Sequence, residues 1–194
     1  MNFNDYQLVL VGIGEEFENN ERELEALNAL AKALEGKDYF VVTLCMDDVI
    51  FNSNLDMDRV VAPLGGKRFK QCPDACDHLY YSLDEEKCSV CGKSLIYNNY
   101  EAENYVEESY LNMWEKHKVW LTKTLNKSLL VLELGVSLKL PQIIRFPYER
   151  ICFFNQKSHF VRVNETLPQL SAEIADKGES IKQNSVEWLV ENII

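Results

Sequence analysis

The stretch Cys72-Pro73-Asp74-Ala75-Cys76, followed after an eleven-residue gap by Cys88-Ser89-Val90-Cys91-Gly92, decides the fold of this 194-residue chain. Four thiolates at this spacing can close a tetrahedral zinc site on two facing loops. Gly92 permits the tight backbone turn that follows the second pair. Because four thiolates leave no coordination position for water, the predicted site is structural rather than catalytic. The neighbouring His78 could replace one cysteine.

Two disulfides are the main alternative to a metal. The chain opens with the polar residues Met1-Asn2-Phe3-Asn4-Asp5 instead of an apolar signal segment, and no later stretch is apolar enough to span a membrane. We therefore expect a cytoplasmic protein with no membrane partner, in which reduced thiols favour a metal. Chance clustering is the other alternative, and four of the six cysteines within twenty residues argue against it.

Length and charge narrow the classes of function. A chain of 194 residues suits one domain over 1–194 with an inserted subdomain at 65–99. Its formal net charge of −11 argues against binding a nucleic-acid backbone, so we expect no nucleic-acid partner.

Apolar runs alternate with helical patterns along the chain. The runs predict buried strands at 6–11, 39–45, 59–62, 128–134, 150–154 and 159–163. Helical spacing predicts helices at 17–34, 103–125, 167–176 and 185–193. This alternation predicts an α/β fold, in which a Rossmann-like, mostly parallel sheet is flanked by helices and carries the four-cysteine zinc ribbon as an insertion.

Ligands of such folds bind beyond the carboxyl ends of the strands, where the strand order reverses. The loops predicted to lie there are 12–14, 43–48, 63–66, 135–137 and the residue Asn155. These loops form the candidate ligand crevice.

Gly12-Ile13-Gly14 after the first strand is the start of a dinucleotide loop, because two glycines let the backbone approach a pyrophosphate. Phe17 stands where the full fingerprint has its third glycine. Glu15 and Glu16 follow in the predicted first helical turn, where carboxylates satisfy the helix dipole and repel a phosphate. A plain strand-to-helix turn is therefore an open alternative, and carboxylates that fill this space would exclude a nucleotide.

Two further loops carry weaker signals. The adjacent carboxylates of Asp47 and Asp48 could bind an amide or a ribose hydroxyl, or simply cap a helix. The turn Gly135-Val136-Ser137 offers close backbone approach and a hydroxyl. Cys45 and Cys152 lie in apolar runs and are predicted to be buried and inert.

Together these motifs resemble the sirtuins, the family of NAD-dependent protein deacylases. The order of a Gly-x-Gly turn, a strand ending Thr-x-x-x-Asp, a glycine-containing loop, two cysteine pairs, a strand ending Gly-x-Ser and an asparagine covers about residues 6–163. The resemblance implies a sirtuin-like Rossmann domain with structural zinc, and NAD or ADP-ribose as the cofactor.

The resemblance also implies a role for each matched position. The first two glycines would line the cofactor phosphates, and Asp47, in the motif that Thr43 opens, would contact the nicotinamide amide. The turn at 135–137 would hold phosphate and ribose, although Val136 replaces the family's threonine, and Asn155 would contact a ribose. The implied cofactor-binding residues are Gly12, Gly14, Thr43, Asp47, Gly135, Ser137 and Asn155.

The chain departs from the family at the catalytic position. Sirtuins carry a His-Gly pair before the zinc ribbon, whose imidazole is the general base, and the matching pair here is Leu64-Gly65. Leucine cannot move a proton, so no catalytic residue is assigned. Cys45 replaces a family asparagine, and the 28 residues between Gly14 and Thr43 leave no room for the family's cofactor loop and helical subdomain.

Three functions follow from these observations. The first is a zinc-containing sirtuin-like protein that binds NAD or ADP-ribose, with the missing histidine arguing against the usual deacylase chemistry. The second is an active NAD-dependent deacylase or ADP-ribosyltransferase, since a transferase can depart from that histidine. The third is a protein-interaction scaffold using Tyr80 and Tyr81 on the ribbon and Trp114 and Trp120 on the long helix, where the tryptophans could instead belong to the core.

Overall fold

A six-stranded parallel sheet organises the structure, a computed structural model that describes residues 2–76, 79–81 and 83–193. The strands are β1 (Leu8–Ile13), β2 (Asp38–Thr43), β3 (Val60–Val61), β4 (Gly65–Gln71), β5 (Ile96–Asn99), β6 (Leu129–Leu134), β7 (Ser158–Val163) and β8 (Gly178–Ile181). The helices are α1 (Glu23–Ala33), α2 (Glu108–Thr122), α3 (Arg145–Phe154) and α4 (Ser185–Asn192). Short 3₁₀ turns lie at Phe3–Asp5, Val49–Asn52, Met57–Arg59 and Ala175–Lys177.

The strand order of the sheet is β3-β2-β1-β6-β7-β8, with every neighbouring pair parallel. All six residues of β1 and of β6 are buried, because helices cover both faces. Alternate strand side chains point into two apolar cores, one shared with α1 and α4 and the other with α2 and α3. The predicted Rossmann-like α/β class is therefore confirmed, and the strand order reverses between β1 and β6.

The two cysteine loops lie between β4 and β5, which form a separate antiparallel pair. Residues 65–99, from the start of β4 to the end of β5, are called the cysteine module. Two fully buried amides support this pair. The Asn98 amide donates to Gln71 Oε1 (2.6 Å), and the Gln71 amide donates to the carbonyl of Asn104 (2.7 Å). Because Asn98 also donates to the carbonyl of Val106 (2.8 Å), these bonds fix the cysteine module to the segment that leads into α2.

Two predicted elements are wrong. The apolar run at 150–154 is not a strand but the last half of α3, whose Tyr148 and Cys152 face the sheet at helical spacing. A short apolar run cannot distinguish the two structures. The predicted helix at 167–176 is irregular until a 3₁₀ turn at Ala175–Lys177, and the polar edge strand β8 after it was missed.

Helix α1 is shorter than predicted, since it begins at Glu23 and not at residue 17. The segment 14–22 before it instead crosses the carboxyl ends of the strands. None of the helices within the described residues has both the length and the apolar character needed to cross a bilayer.

Candidate functional site

The loops that follow β1 and β6 pack directly against each other where the strand order reverses. The Gly14 amide donates to the carbonyl of Leu134 (2.8 Å), and a Cβ at Gly14 would lie 2.3 Å from Val136 Cα. Gly135 has φ +63°, and a Cβ there would approach the Glu16 side chain to 2.5 Å. Both glycines are therefore required by the contact between the loops.

Gly12 lies inside β1 and faces a helix. A Cβ at this position would lie 2.5 Å from Ile144 and 2.8 Å from the Tyr148 ring. The Tyr148 hydroxyl donates to the carbonyl of Val11 (3.1 Å). Close packing of α3 on β1 accounts for this glycine.

The side chain of Glu15 accepts hydrogen bonds from the loop that follows β6. Its carboxylate accepts hydrogen bonds from the Ser137 amide (3.0 Å) and from the Ser137 hydroxyl (2.8 Å). The two donors bond different oxygens of one carboxylate, an arrangement that suits an anion with two oxygens side by side. In this structure that anion is the chain's own carboxylate.

Glu16 reaches a second set of donors. Its carboxylate accepts from the amides of Glu165 and Ser185, each at 2.8 Å. Ser185 is the first residue of α4, where a negative charge complements the helix dipole. Glu15 and Glu16 thus lie in a loop that bridges β6, β7 and α4, and not in the predicted first turn of a helix.

The loop after β2 is organised by its own side chains. The buried Thr43 hydroxyl accepts from the Cys45 amide (3.1 Å). The Asp47 carboxylate accepts from the amides of Asn19 (3.0 Å) and Val49 (3.2 Å), the latter opening the 3₁₀ turn at Val49–Asn52. Asp47 thus bonds this turn from the position before its N-cap, which is Asp48.

Asp48 ties this loop to the start of the cysteine module. It has φ +67°, and its carboxylate accepts from the Lys67 amide. Burial raises the pKa of Asp48 above its usual value, while the bond from Lys67 acts in the opposite direction. Gly66 leaves the space for this contact, since a Cβ would lie 2.1 Å from the carboxylate.

Glu23 is a buried acid that sequence reasoning missed. It is 2% exposed and lies on the inner face of α1 with Ala26, Leu27 and Leu30. Burial raises its pKa to about 9, with hydrogen bonding to Asp47 as the next cause. Glu23 is therefore protonated at neutral pH. Its spacing of three, four and seven residues from apolar positions was the available signal.

Both unligated cysteines are buried as predicted. Cys45 is 3% exposed, its thiol donates to the carbonyl of Gly14 (3.4 Å), and burial raises its pKa well above the usual value. Cys152 is fully buried, and burial also raises its pKa. Neither thiol is disposed to act as a nucleophile.

Leu64 lies in the apolar core at the position where the resemblance places a catalytic histidine. Beside it, between β3, the start of β4 and α2, is a cavity of about 650 Å³. The cavity is lined by acids, aromatic and apolar residues and two cations, including Asp47, Asp48, Phe51, Lys67, Arg68 and Met113. The Arg68 guanidinium lies 3.9 Å from the centre of the Phe51 ring.

Asn155 does not join the other predicted residues. Its amide donates to the carbonyls of Thr124 (3.0 Å) and Lys127 (3.1 Å), just before β6 begins. It therefore lies at the amino ends of the strands, opposite the crevice. The error follows from assigning α3 as a strand that ends at this residue.

Asn164 takes the place next to the 135–137 loop. It follows β7, donates to the carbonyl of Val136 (3.0 Å) and accepts from the Leu167 amide (2.7 Å). The same Val136 carbonyl accepts from Arg145 (3.1 Å). The side chains of Asn164 and Arg145 thus both donate to the Val136 carbonyl and fix the loop that carries Ser137.

A buried ion cluster supports Arg145. Glu133 is fully buried and accepts from Arg162 Nε (2.6 Å) and Nη2 (2.9 Å), with Arg145 at 3.4 Å. Arg162 also pairs with Glu149 (2.8 Å). The sequence pattern did not predict this cluster, because Glu133 stands inside a long apolar run that indicates only a buried strand.

The four predicted metal ligands come together. The Sγ atoms of Cys72, Cys76, Cys88 and Cys91 lie within 4.8 Å of one another, and all six cysteines of the chain are free of disulfides. Cys72 Sγ is 3.5 Å from Cys76 Sγ and 3.6 Å from Cys91 Sγ. A tetrahedral zinc ion with bonds of about 2.3 Å needs sulfur atoms about 3.8 Å apart, so the set fits zinc.

The thiol environment also favours a cation. Backbone amides of Cys91 and Val90 lower the pKa of Cys88 to about 6, which favours the thiolate that a metal requires. Hydrogen bonds with Cys72 and Cys91 are the main cause that raises the pKa of Cys76 to about 12, and bound zinc would replace these bonds. The alternative ligand His78 lies outside the described residues.

The aromatic residues named for a protein-binding surface divide into two groups. Tyr80 and Trp120 are each 4% exposed and belong to the interior, whereas Tyr81 is 66% exposed. Trp114 is partly buried and packs against the apolar core that the sheet shares with α2 and α3.

A curated relative resembles the chain in sequence, whereas no family model matches it. The Protein ADP-ribosyltransferase of Staphylococcus aureus strain Mu50 is 21% identical over 170 residues, covering 77% of this chain and 54% of the relative. The chain thus spans about half the length of that relative.

Solved structures resemble the chain more completely. A mutant of a Sir2 homologue in complex with 2′-O-acetyl ADP ribose has a TM-score of 0.61 and 12% identity, covering 96% of this chain and 90% of that one. A second Sir2 homologue mutant, in complex with ADP ribose, has a TM-score of 0.60 and 12% identity, covering 98% and 92%. At these identities the likeness shows the fold, which is therefore sirtuin-like.

Proposed function

We propose that this chain is a zinc-containing sirtuin-like protein that binds NAD or ADP-ribose in the crevice between the β1 and β6 loops. The observation that carries this proposal is the pair of Ser137 donors converging on the Glu15 carboxylate. Two oxygens of one phosphate group can accept the same two bonds. The ligands named for the two Sir2 homologues support ADP-ribose as the chemical class.

The nucleotide enters by exchange with Glu15. Glu15 is half-buried, and within the described part of the chain its carboxylate accepts hydrogen bonds from Ser137 alone. Displacing it breaks two hydrogen bonds that the phosphate re-forms, so the competition costs on the order of 1–2 kcal/mol. Glu15 therefore excludes a nucleotide only while its carboxylate is bonded to Ser137. The free energy needed to displace it lowers nucleotide affinity roughly tenfold.

The proposed function does not include the deacylation reaction of sirtuins. Its general base would stand at Leu64, which is 6% exposed and packed in an apolar core. Leucine has no site that accepts a proton, and Asn155 lies at the other end of the sheet. The proposed role is therefore recognition of the nucleotide.

The cysteine cluster is proposed to hold one structural zinc ion through Cys72, Cys76, Cys88 and Cys91. Bound zinc would replace the hydrogen bonds between the thiols by four metal–sulfur bonds and stabilise the module between β4 and β5. The module in turn fixes Gly66 and Lys67 against Asp48.

Calorimetry with ADP-ribose and NAD tests the nucleotide site. Glu15→Ala removes the competing carboxylate and should tighten ADP-ribose binding about tenfold, whereas adding Ser137→Ala to that variant should reverse the gain. Glu21→Ala, a nearby exposed acid, is the matched control for lost charge and should leave the affinity unchanged. Absence of heat at 5 mM ligand with both the natural chain and Glu15→Ala would reject the proposal.

ADP-ribosyl transfer is a second candidate, favoured by the name of the Staphylococcus aureus relative. The reaction breaks the bond between C1′ of the ribose and the nicotinamide nitrogen and forms a bond from C1′ to an acceptor, which loses a proton to solvent. Chromatography of NAD incubated with the zinc-loaded chain measures the released nicotinamide. Release above the no-protein control supports transfer or hydrolysis, and none over a day rejects this candidate.

A further inference from the structure

The outer face of α3 is apolar where a surface helix is ordinarily polar. The exposed residues of this helix are Phe146, Arg150, Phe153 and Phe154, at spacings of four, seven and eight that form one stripe. Phe146 and Phe154 are 57% and 58% exposed. Three phenylalanines on a solvent-facing stripe indicate a surface that another molecule covers.

A groove lies between this stripe and the end of α2. It has a volume of about 370 Å³, and its lining is largely apolar: Leu121, Leu125, Pro147, Ile151 and Phe154. Leu125 is 61% exposed at its rim. Because Asn155 also lines the groove, this surface lies at the amino ends of the strands, opposite the proposed nucleotide crevice.

The chain segments that form the groove are rich in exposed cations, although the chain as a whole has a net charge of −11. Arg150 lines the groove, and three further exposed cations, Lys123, Lys127 and Lys157, stand within two residues of lining positions along the chain. Glu149 is the one acid within that separation, and it pairs with Arg162. Residues 116–132 contain no aspartate or glutamate. Within the described residues, none of the four cations forms a salt bridge; the Arg150 guanidinium lies 5.7 Å from the Phe154 ring centre.

We infer that this groove, lined by α2 and α3, docks a partner protein through a segment that combines apolar side chains with acidic residues. The concave apolar floor accepts aliphatic or aromatic anchors, and the four cations pair with carboxylates at the rim. A symmetric contact between two copies would place the basic rims together. An anionic bilayer or a nucleic acid would not place aliphatic or aromatic anchors in a concave apolar groove.

Peptide selection provides the test because the partner is identified by its chemistry alone. A library of random 12-residue peptides is selected on the immobilised full chain and counter-selected on the Leu125→Asp/Phe154→Asp variant. Enriched peptides should carry at least two aliphatic or aromatic residues and a net negative charge. Both substituted residues are exposed, and an unchanged thermal transition confirms that the variant is folded.

Affinities of the selected peptides locate the site. Phe154→Ala and Arg150→Glu should each weaken binding at least tenfold, whereas Tyr81→Ala, which removes an exposed aromatic of the cysteine module, should not change it. Replacing the acidic residues of a peptide by lysine should abolish binding to the natural chain and restore it with Arg150→Glu.

Three results would overturn the inference. These are peptides that are uncharged or basic, peptides that bind the counter-selection variant equally well, and no enrichment at all. Two other measurements name the alternative occupants. A dimer in light scattering that Phe154→Asp dissociates would assign the groove to a second copy. Sedimentation with vesicles containing 30% phosphatidylserine, lost in the same variant, would assign it to a membrane.

Discussion

Replacing Arg162 by methionine should remove much of the stability of this fold. Arg162 is fully buried and donates to both oxygens of the fully buried Glu133, at 2.6 and 2.9 Å. In Arg162→Met, Glu133 keeps only the longer contact of 3.4 Å to Arg145. Leaving one buried charge without its main partner costs about 3–5 kcal/mol. That is a large fraction of the roughly 5–15 kcal/mol by which a domain is stable.

Urea unfolding followed by circular dichroism at constant zinc measures this cost from the shift in midpoint at an unchanged slope. Lys116→Met is the matched control, since it breaks an exposed pair with Asp58 and should leave the midpoint unchanged. Adding Glu133→Met to Arg162→Met should recover part of the loss, because the lone carboxylate is then gone. A loss below about 1 kcal/mol in the single variant would refute the argument that the buried Glu133 depends on Arg162.

Three further outcomes are expected. Metal analysis should find one zinc per chain, lost in Cys88→Ser together with a lower unfolding temperature; an unchanged temperature after zinc loss would contradict a structural role. Burial lowers the pKa of His117 from 6.5 to about 4, so its contribution to stability should be lost as pH falls from 6.5 towards 4, and His117→Leu should flatten that part of the urea-midpoint profile. Burial raises the pKa of Glu23 to about 9, so stability should fall as pH rises from 4.5 to 9, and a profile unchanged by Glu23→Gln would contradict this assignment.

The sequence predicted the elements that local patterns specify. Continuous apolar runs gave β1, β2 and β6, because strands buried on both faces contain few polar residues. The cysteine spacing gave the metal cluster, because metal ligation depends on short separations along the chain. The glycine turns were predicted at the carboxyl ends of these strands, and the loops after β1 and β6 meet there.

Tertiary packing decided what the patterns could not. The run at 150–154 is a helix because Tyr148 and Cys152 pack on the sheet four residues apart, so Asn155 was placed at the wrong end and Asn164 was missed. Glu133 is paired with residues distant in sequence, which no local pattern reveals, whereas the helical spacing of Glu23 from apolar residues was a signal that went unused. The contact of Glu15 with Ser137 spans 122 residues and likewise depends on the assembled sheet.

The Ser137 amide group decides whether a nucleotide binds at this loop, since Glu15 and a nucleotide phosphate compete for its proton. An amide ¹H–¹⁵N spectrum recorded during an ADP-ribose titration follows that proton directly. We expect the Ser137 resonance to shift and to saturate at the calorimetric affinity, about tenfold lower in ligand concentration for Glu15→Ala. A Ser137 resonance that stays fixed in both proteins while ADP-ribose is raised to 5 mM would contradict the account.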